Sequence, residues 1–255
     1  MKLGIIGCGA IGTDVAKAAD KIKDINKIYL FDIKKPAAEK LNKVVKKAEI
    51  KPVKDFLKDV DVVFEAASQN AVKEYAEKIL LAGKDLILMS VGSLFDEKIK
   101  KKLENIAKEK HCKIYLPSGA VCGIDGILSG SGDIIDEVTL VTTKPPSSLG
   151  KKYYKRTIVF KGNAREAVKK FPMNINVAAS LSLAGVGFDK TRVEIVADPV
   201  ATRINHKIHA HGKFGRLRAE VENMPNPNNP KSSYMASLSA IATLKRITNP
   251  IQIGA

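Results

Sequence analysis

Three of the chain's four histidines fall within six positions, His206, His209 and His211; the fourth is His111. Histidine titrates closer to neutral pH than any other unperturbed side chain, so such a cluster suits proton transfer during a reaction. In an extended strand residues two apart share a face, which puts His209 and His211 on one side and His206 on the other. His206 follows Asn205 near the start of its segment, and the ends of elements commonly carry active-site groups. A solvated histidine, or one hydrogen-bonded in a core, would give the same pattern. Asp198, Pro199, Arg203 and Lys207 complete the densest group of unusual residues in the chain.

A second pattern stands at the other end. Gly7-Cys8-Gly9-Ala10-Ile11-Gly12 reads G-x-G-x-x-G. Glycines are needed there for a tight turn (Gly7), for close approach of the backbone to a pyrophosphate (Gly9) and for close packing of helix on strand (Gly12). Behind the loop, the helix N-terminus at Ala10 and Ile11 offers N–H groups and a positive dipole end to an anion. Asp32 lies 20 residues beyond Gly12, where a carboxylate accepts hydrogen bonds from a ribose 2′-hydroxyl. NAD is therefore the expected cofactor. Lys34 and Lys35 follow at once and would tolerate a 2′-phosphate, so NADP is admissible.

Two further loops are expected beside this one, beyond the carboxyl ends of strands. Ala66, Ala67 and Ser68 follow Glu65 and leave room for ribose and phosphate. Pro117-Ser118-Gly119-Ala120 offers backbone amides to the nicotinamide end, although a plain tight turn has the same composition. His111, Cys112 and Cys122 fit no common zinc spacing, so no metal is expected.

The elements that must hold these residues follow from periodicity. Strands are expected at 2–7, 27–33, 60–65, 85–91 and 113–116, alternating with helices at 10–22, 36–47, 70–82 and 96–109. That alternation predicts an α/β fold, a doubly wound parallel sheet of Rossmann type. After residue 121 the rhythm changes. Strand-like segments at 135–143, 155–161, 193–197 and 205–221 alternate polar with apolar residues, around a helix at about 174–185. They predict a second α+β domain with a mainly antiparallel sheet. Residues 224–231 read as a Pro/Asn-rich loop. A last helix, 232–246, has Ser232 or Ser233 as its N-cap and is expected to pack back on the first domain. The expected domains are thus 1–121, with 232–255 returning to it, and 122–231.

The bulk numbers bound the class. The chain has 255 residues, 45% of them hydrophobic, and no stretch long enough to span a membrane. Three cysteines make a disulfide framework unsuitable and point to a reducing, cytoplasmic setting. The net charge is +16, with lysines mixed among glutamates on helical segments. That reads as solvated helix faces and as attraction for an anionic substrate and cofactor rather than as a nucleic-acid surface.

Several segments together resemble the aspartate dehydrogenase family: GIIGCGAIG at the start, EAAS at 65–68, PSGA at 117–120, FPMNINVAASLSLAG at 171–185, ADP at 197–199, Asn205-His206, GKFG at 212–215 and ENMPNPNNPKSSYMASLSAIATL at 222–244. The resemblance runs over nearly the whole chain. It implies reversible NAD(P)-dependent deamination of L-aspartate to iminoaspartate, then oxaloacetate and ammonia, a link to NAD biosynthesis, and a homodimer. It carries the catalytic histidine onto His206, and cofactor contacts onto the backbone of Ala120 and the side chain of Asn176. At 203–206 this chain reads Arg-Ile-Asn-His where the family pattern reads Asn-Ile-His or Asn-Val-His, so His209 stands as the alternative. A substrate with two carboxylates needs cations and hydroxyl or amide donors. Asn205, Lys231, Ser232, Ser233 and Arg203 are the candidates. Competing readings are a related Rossmann oxidoreductase acting on another amino-acid intermediate, and a non-catalytic NAD-binding regulator.

Overall fold

The computed structural model describes residues 1–171 and 176–253, without the side chains of Pro230 and Lys231. Its contacts divide the chain into two compact units, Met1–Pro117 with Ser237–Gln252, and Ser118–Ala236 with the terminal residues from Ile253.

In the first unit, strands β1 (Lys2–Ile6), β2 (Lys27–Phe31), β3 (Ala48–Ile50), β4 (Val62–Glu65), β5 (Asp85–Leu88) and β6 (Ile114–Tyr115) form one sheet in the order β3-β2-β1-β4-β5-β6. Every pairing is parallel. The connecting helices are α1 (Ala10–Ala19), α2 (Lys35–Asn42), α3 (Val53–Phe56), α4 (Gln69–Leu81) and α5 (Glu97–Glu109). A parallel sheet covered on both faces needs strands that are apolar on both sides. Leu3, Ile5, Ile28, Leu30, Phe64, Leu86 and Ile87 accordingly have no exposed surface. The strand order reverses between β1 and β4, and such a switch point opens a crevice at the carboxyl ends of the strands. The short helix α3 is an addition to the expected pattern; four residues carry too little periodicity to be read.

The second unit contains α6 (Ile124–Gly130), β7 (Ile135–Lys144), β8 (Thr157–Asn163), α7 (Ala164–Lys170), α8 (Asn176–Ala184), β9 (Arg192–Ala197), β10 (Ile204–Gly212), β11 (Gly215–Asn223), β12 (Pro225–Asn226) and β13 (Asn229–Ser233). Helix α9 (Tyr234–Thr248) starts in this unit and continues in the first. The large sheet has the order β11-β10-β7-β9-β8. Its pairings are antiparallel except β7 with β9. The 205–221 segment is a hairpin, turning at Lys213 and Phe214.

Two expectations are corrected. Residues 224–231 are largely strand rather than loop: β12 and β13 pair as a small ribbon, because Asn226 Oδ1 accepts from the Asn228 N–H and tightens the turn between them. The last helix begins at Tyr234 rather than at residue 232; Ser232 and Ser233 end β13, and Ser233 stands directly before the helix, in the N-cap position. The first positions of the helix expected at 174–185 lie outside the described residues.

Candidate active site

In the first unit the glycine loop follows β1. Gly7 has φ +99°, and a Cβ there would lie 2.6 Å from the Ala66 carbonyl oxygen, so only glycine allows the loop after β1 to touch the loop after β4. A Cβ on Gly12 would lie 1.9 Å from the Gly7 carbonyl oxygen, which brings α1 against β1. Gly9 is exposed, and a Cβ there would meet nothing within 4 Å. Thr13 is the first residue whose N–H bonds back within the helix, to Gly9 O at 2.8 Å. The N–H groups of Ala10, Ile11 and Gly12 therefore have no acceptor inside α1. An open backbone with free donors at a positive helix end is what a diphosphate needs.

Asp32 ends β2 beside this loop. Its two oxygens accept from the Cys8 N–H at 2.7 Å and the Lys34 N–H at 2.8 Å. The carboxylate is half-buried, with lone pairs left for further donors. Burial, with the Asp32 charge adding to it, pushes the Cys8 thiol up to about 12, so Cys8 is a packed, protonated group and not a nucleophile.

Glu65 was not singled out by sequence reasoning beyond its place before Ala66. It is 2% exposed. Its Oε1 accepts from the N–H groups of Ala67 (2.8 Å) and Ser68 (3.0 Å) and from the Ser90 hydroxyl (2.9 Å), and its Oε2 from the Ser90 N–H (3.0 Å). Burial raises its pKa against the pull of these four donors. One side chain thus shapes the Ala66–Ser68 loop and ties it to the end of β5. The Ser68 hydroxyl caps α4 through the Ala71 N–H, at 3.2 Å.

In the second unit His206 is 6% exposed, on the buried face of β10. Lys207, His209 and His211 lie on the exposed face. His211 meets Glu137 Oε2 at 3.1 Å. His206 pairs in register with Thr142 of β7, and the Thr142 hydroxyl lies 2.9 Å from its Nδ1. Burial, and then the charge of Lys144, push the His206 pKa down to about 3, so the imidazole is neutral at neutral pH. Lys144 ends β7 on the same buried face as Thr142, and it is 5% exposed. Burial alone lowers its pKa to about 8.

A second polar chain runs nearby in the same unit. Asn223 is 3% exposed; its Nδ2 donates to the Ala120 carbonyl at 3.1 Å, and its Oδ1 accepts from the Ser233 hydroxyl. Asn223 and Ser233 also line a cavity of about 280 Å³, together with Ser147, Ser148, Arg203 and Ser232. Hydroxyl, amide and guanidinium donors around such a space suit a small anionic molecule.

The sequence candidates are thus partly gathered. Arg203, Ser232 and Ser233 share this cavity, and Ala120 joins Ser233 through Asn223. Asn205 points away from the His206 face and donates to Glu220 Oε1 at 2.8 Å. Asn176 is exposed at the first described position of α8. The Lys231 side chain lies outside the described residues. Sequence reasoning missed Lys144, Thr142 and Asn223. One signal for the first two is that Val138, Leu140, Thr142 and Lys144 continue one alternating stripe of β7, so its last two members are polar groups on a buried face.

Comparison with known proteins bears on both units. Residues 7–117 match a family model described as homoserine dehydrogenase, NAD binding domain, and residues 125–247 match one described as aspartate dehydrogenase, C-terminal. The chain is 45% identical to the L-aspartate dehydrogenase of Methanosarcina acetivorans, covering 100% of this chain and 99% of that protein. It is 41% identical to the enzyme of the same name from Methanothermobacter thermautotrophicus, over 100% and 98% of the two chains. The crystal structure of aspartate dehydrogenase from Thermotoga maritima superposes with a TM-score of 0.82 at 32% identity, over 100% of this chain and 99% of that one. Scyllo-inositol dehydrogenase from Lactobacillus casei shares the fold, with a TM-score of 0.58 at 16% identity over 100% and 91% of the chains.

Proposed function

The chain belongs to the L-aspartate dehydrogenase family, and from that membership we propose that it oxidises L-aspartate with a nicotinamide dinucleotide, reversibly, to iminoaspartate and then oxaloacetate and ammonia. The observation that carries the proposal is His206, a buried neutral imidazole held by one ring nitrogen, at the position the family pattern assigns to the catalytic histidine.

The loop Gly7–Gly12 and Asp32 fit the dinucleotide, NAD in preference to NADP, because Asp32 retains acceptor capacity for a ribose hydroxyl and would repel a phosphate there. When bound, the nicotinamide would supply the acceptor for the hydrogen that leaves the substrate Cα with its electron pair. The Ala10–Gly12 amides would hold the diphosphate, and Glu65 fixes the Ala66–Ser68 loop. The substrate amine must be neutral before its carbon gives up that pair, and water must be activated against the imine that results. We assign both proton movements to Nε2 of His206, which passes the ammonium proton to solvent before it takes one from water and hands that one to the departing amine. In the tautomer whose Nδ1–H donates to Thr142 Oγ1, the lone pair of Nε2 is free for this work. With a pKa of about 3 the imidazole is by itself a weak base. The carboxylates of a bound substrate offset the Lys144 charge and raise that basicity.

The reading extends to a homodimer in the cytoplasm whose imine feeds NAD biosynthesis, supported by the family likeness alone. It is tested with His206→Ala. Turnover of L-aspartate is expected to fall by about 10²–10⁴-fold with NAD affinity unchanged. Near-full turnover by the variant would remove His206 from the chemistry.

A further inference from the structure

We propose that the Lys144 ammonium is the counter-ion of a substrate carboxylate, making Lys144 the residue that selects a dianionic amino acid. The identity of the ligand rests on the dehydrogenase reading above; the presence of an anion subsite does not. Lysine is seldom fully buried without a partner, yet Lys144 is 5% exposed. The partner of Lys144 on β9 is Ala197, which has no exposed surface. Across β10, His206 sits diagonal to it, at the roughly 7–8 Å typical of such pairs.

The acidic group next in sequence to this pairing is Asp198. Its N–H donates to the Lys144 carbonyl at 3.0 Å. Its carboxylate faces elsewhere, with Oδ2 3.6 Å from Arg156 Nε and Oδ1 accepting from the Val200 N–H at 3.1 Å. Among the described residues the ammonium makes no ion pair, and the depression of its pKa has burial as its sole cause. Burying a lysine without an ionic partner is unfavourable. A bound anion supplies the missing compensation. The neutral imidazole alongside offers no competing negative charge, so the place suits a carboxylate and rejects a second cation.

The probe is succinate, a dicarboxylate without the reacting amine, titrated by calorimetry into the full-length protein with NAD present and absent. Wild type, Lys144→Met and Lys144→Arg are compared, and folding of each is checked by circular dichroism and melting. The methionine variant is expected to bind succinate about 10–100-fold more weakly, and to raise KM for L-aspartate by a similar factor with the NAD dissociation constant unchanged. Arginine, which keeps the charge, is expected to recover most of the binding. Succinate binding by Lys144→Met equal to that of wild type overturns the proposal, as does failure of wild type to bind succinate. Wild type that binds succinate through Lys144 but does not oxidise L-aspartate overturns the aspartate reading and leaves the carboxylate subsite standing.

Discussion

The Thr142 hydroxyl lies 2.9 Å from Nδ1 of His206, with both side chains buried and directly opposed across two antiparallel strands. This contact decides which ring nitrogen is left to act. It occupies Nδ1 and holds the ring plane; in the tautomer whose Nδ1–H donates to the hydroxyl, the Nε2 lone pair is free.

Thr142→Val keeps the shape of the side chain and removes that partner. Turnover of L-aspartate is expected to fall about 10–100-fold, the usual cost of losing a group that orients a reacting histidine. NAD affinity should not change, and Thr142→Ser should retain most of the activity. Steady-state kcat and a cofactor titration on the two variants check this.

Lys144→Met should stabilise the empty protein while disabling it. The folded-state pKa of Lys144 is depressed from 10.5 to about 8. Between those values the unfolded chain holds a proton that the folded chain has lost, so stability rises as pH rises through that window. At pH 7 the wild type bears the burial cost in full. An apolar replacement should therefore gain about 1–3 kcal/mol, or roughly 2–4 °C of Tm for each kcal/mol in a chain of this size. The gain should shrink as pH rises above 8, and melting curves from pH 7 to 10 would show it. His206 acts at the acid end. Its pKa is depressed from 6.5 to about 3, so stability should fall as pH drops through that range.

The two later glycines of the loop should separate structure from binding. Gly12→Ala forces a Cβ to 1.9 Å from the Gly7 carbonyl oxygen and should destabilise the protein by about 1–3 kcal/mol. Gly9→Ala meets open space in the protein, so its melting temperature should stay put. NAD affinity should still fall at least about tenfold, ~1.4 kcal/mol, because the added methyl occupies the face where the diphosphate approaches. Thermal melts and NAD titrations on the two variants distinguish these effects.

What was legible in the sequence follows from what is local. Five of the six parallel strands and the loop Gly7–Gly12 announce themselves through periodicity and fixed spacing, because strand, turn and helix are contiguous there; β3, three residues long, does not. The placing of His206 opposite His209 and His211 follows from the two-residue period of a strand. Lys144 was not legible: it is one of 43 basic residues, and its burial is set by β9 and β10, not by its neighbours in the chain. Asn223 stands just before the Asn- and Pro-rich stretch 224–231 that reads as loop, and its role appears only when β11 brings it to Ala120 and Ser233. Glu65 ends an apolar strand as a charged residue commonly does. Its four donors come from the following turn and from Ser90, which is 25 residues away.

The central claim is that this chain oxidises L-aspartate. The most direct measurement is absorbance at the reduced-nicotinamide band, with the purified full-length protein, NAD or NADP, and L-aspartate, L-glutamate, homoserine or malate in turn. Reduction is expected with L-aspartate alone, faster with NAD than with NADP because of Asp32. Turnover of another member of the panel with none of L-aspartate would contradict the claim, leaving the dinucleotide loop in place and removing the substrate.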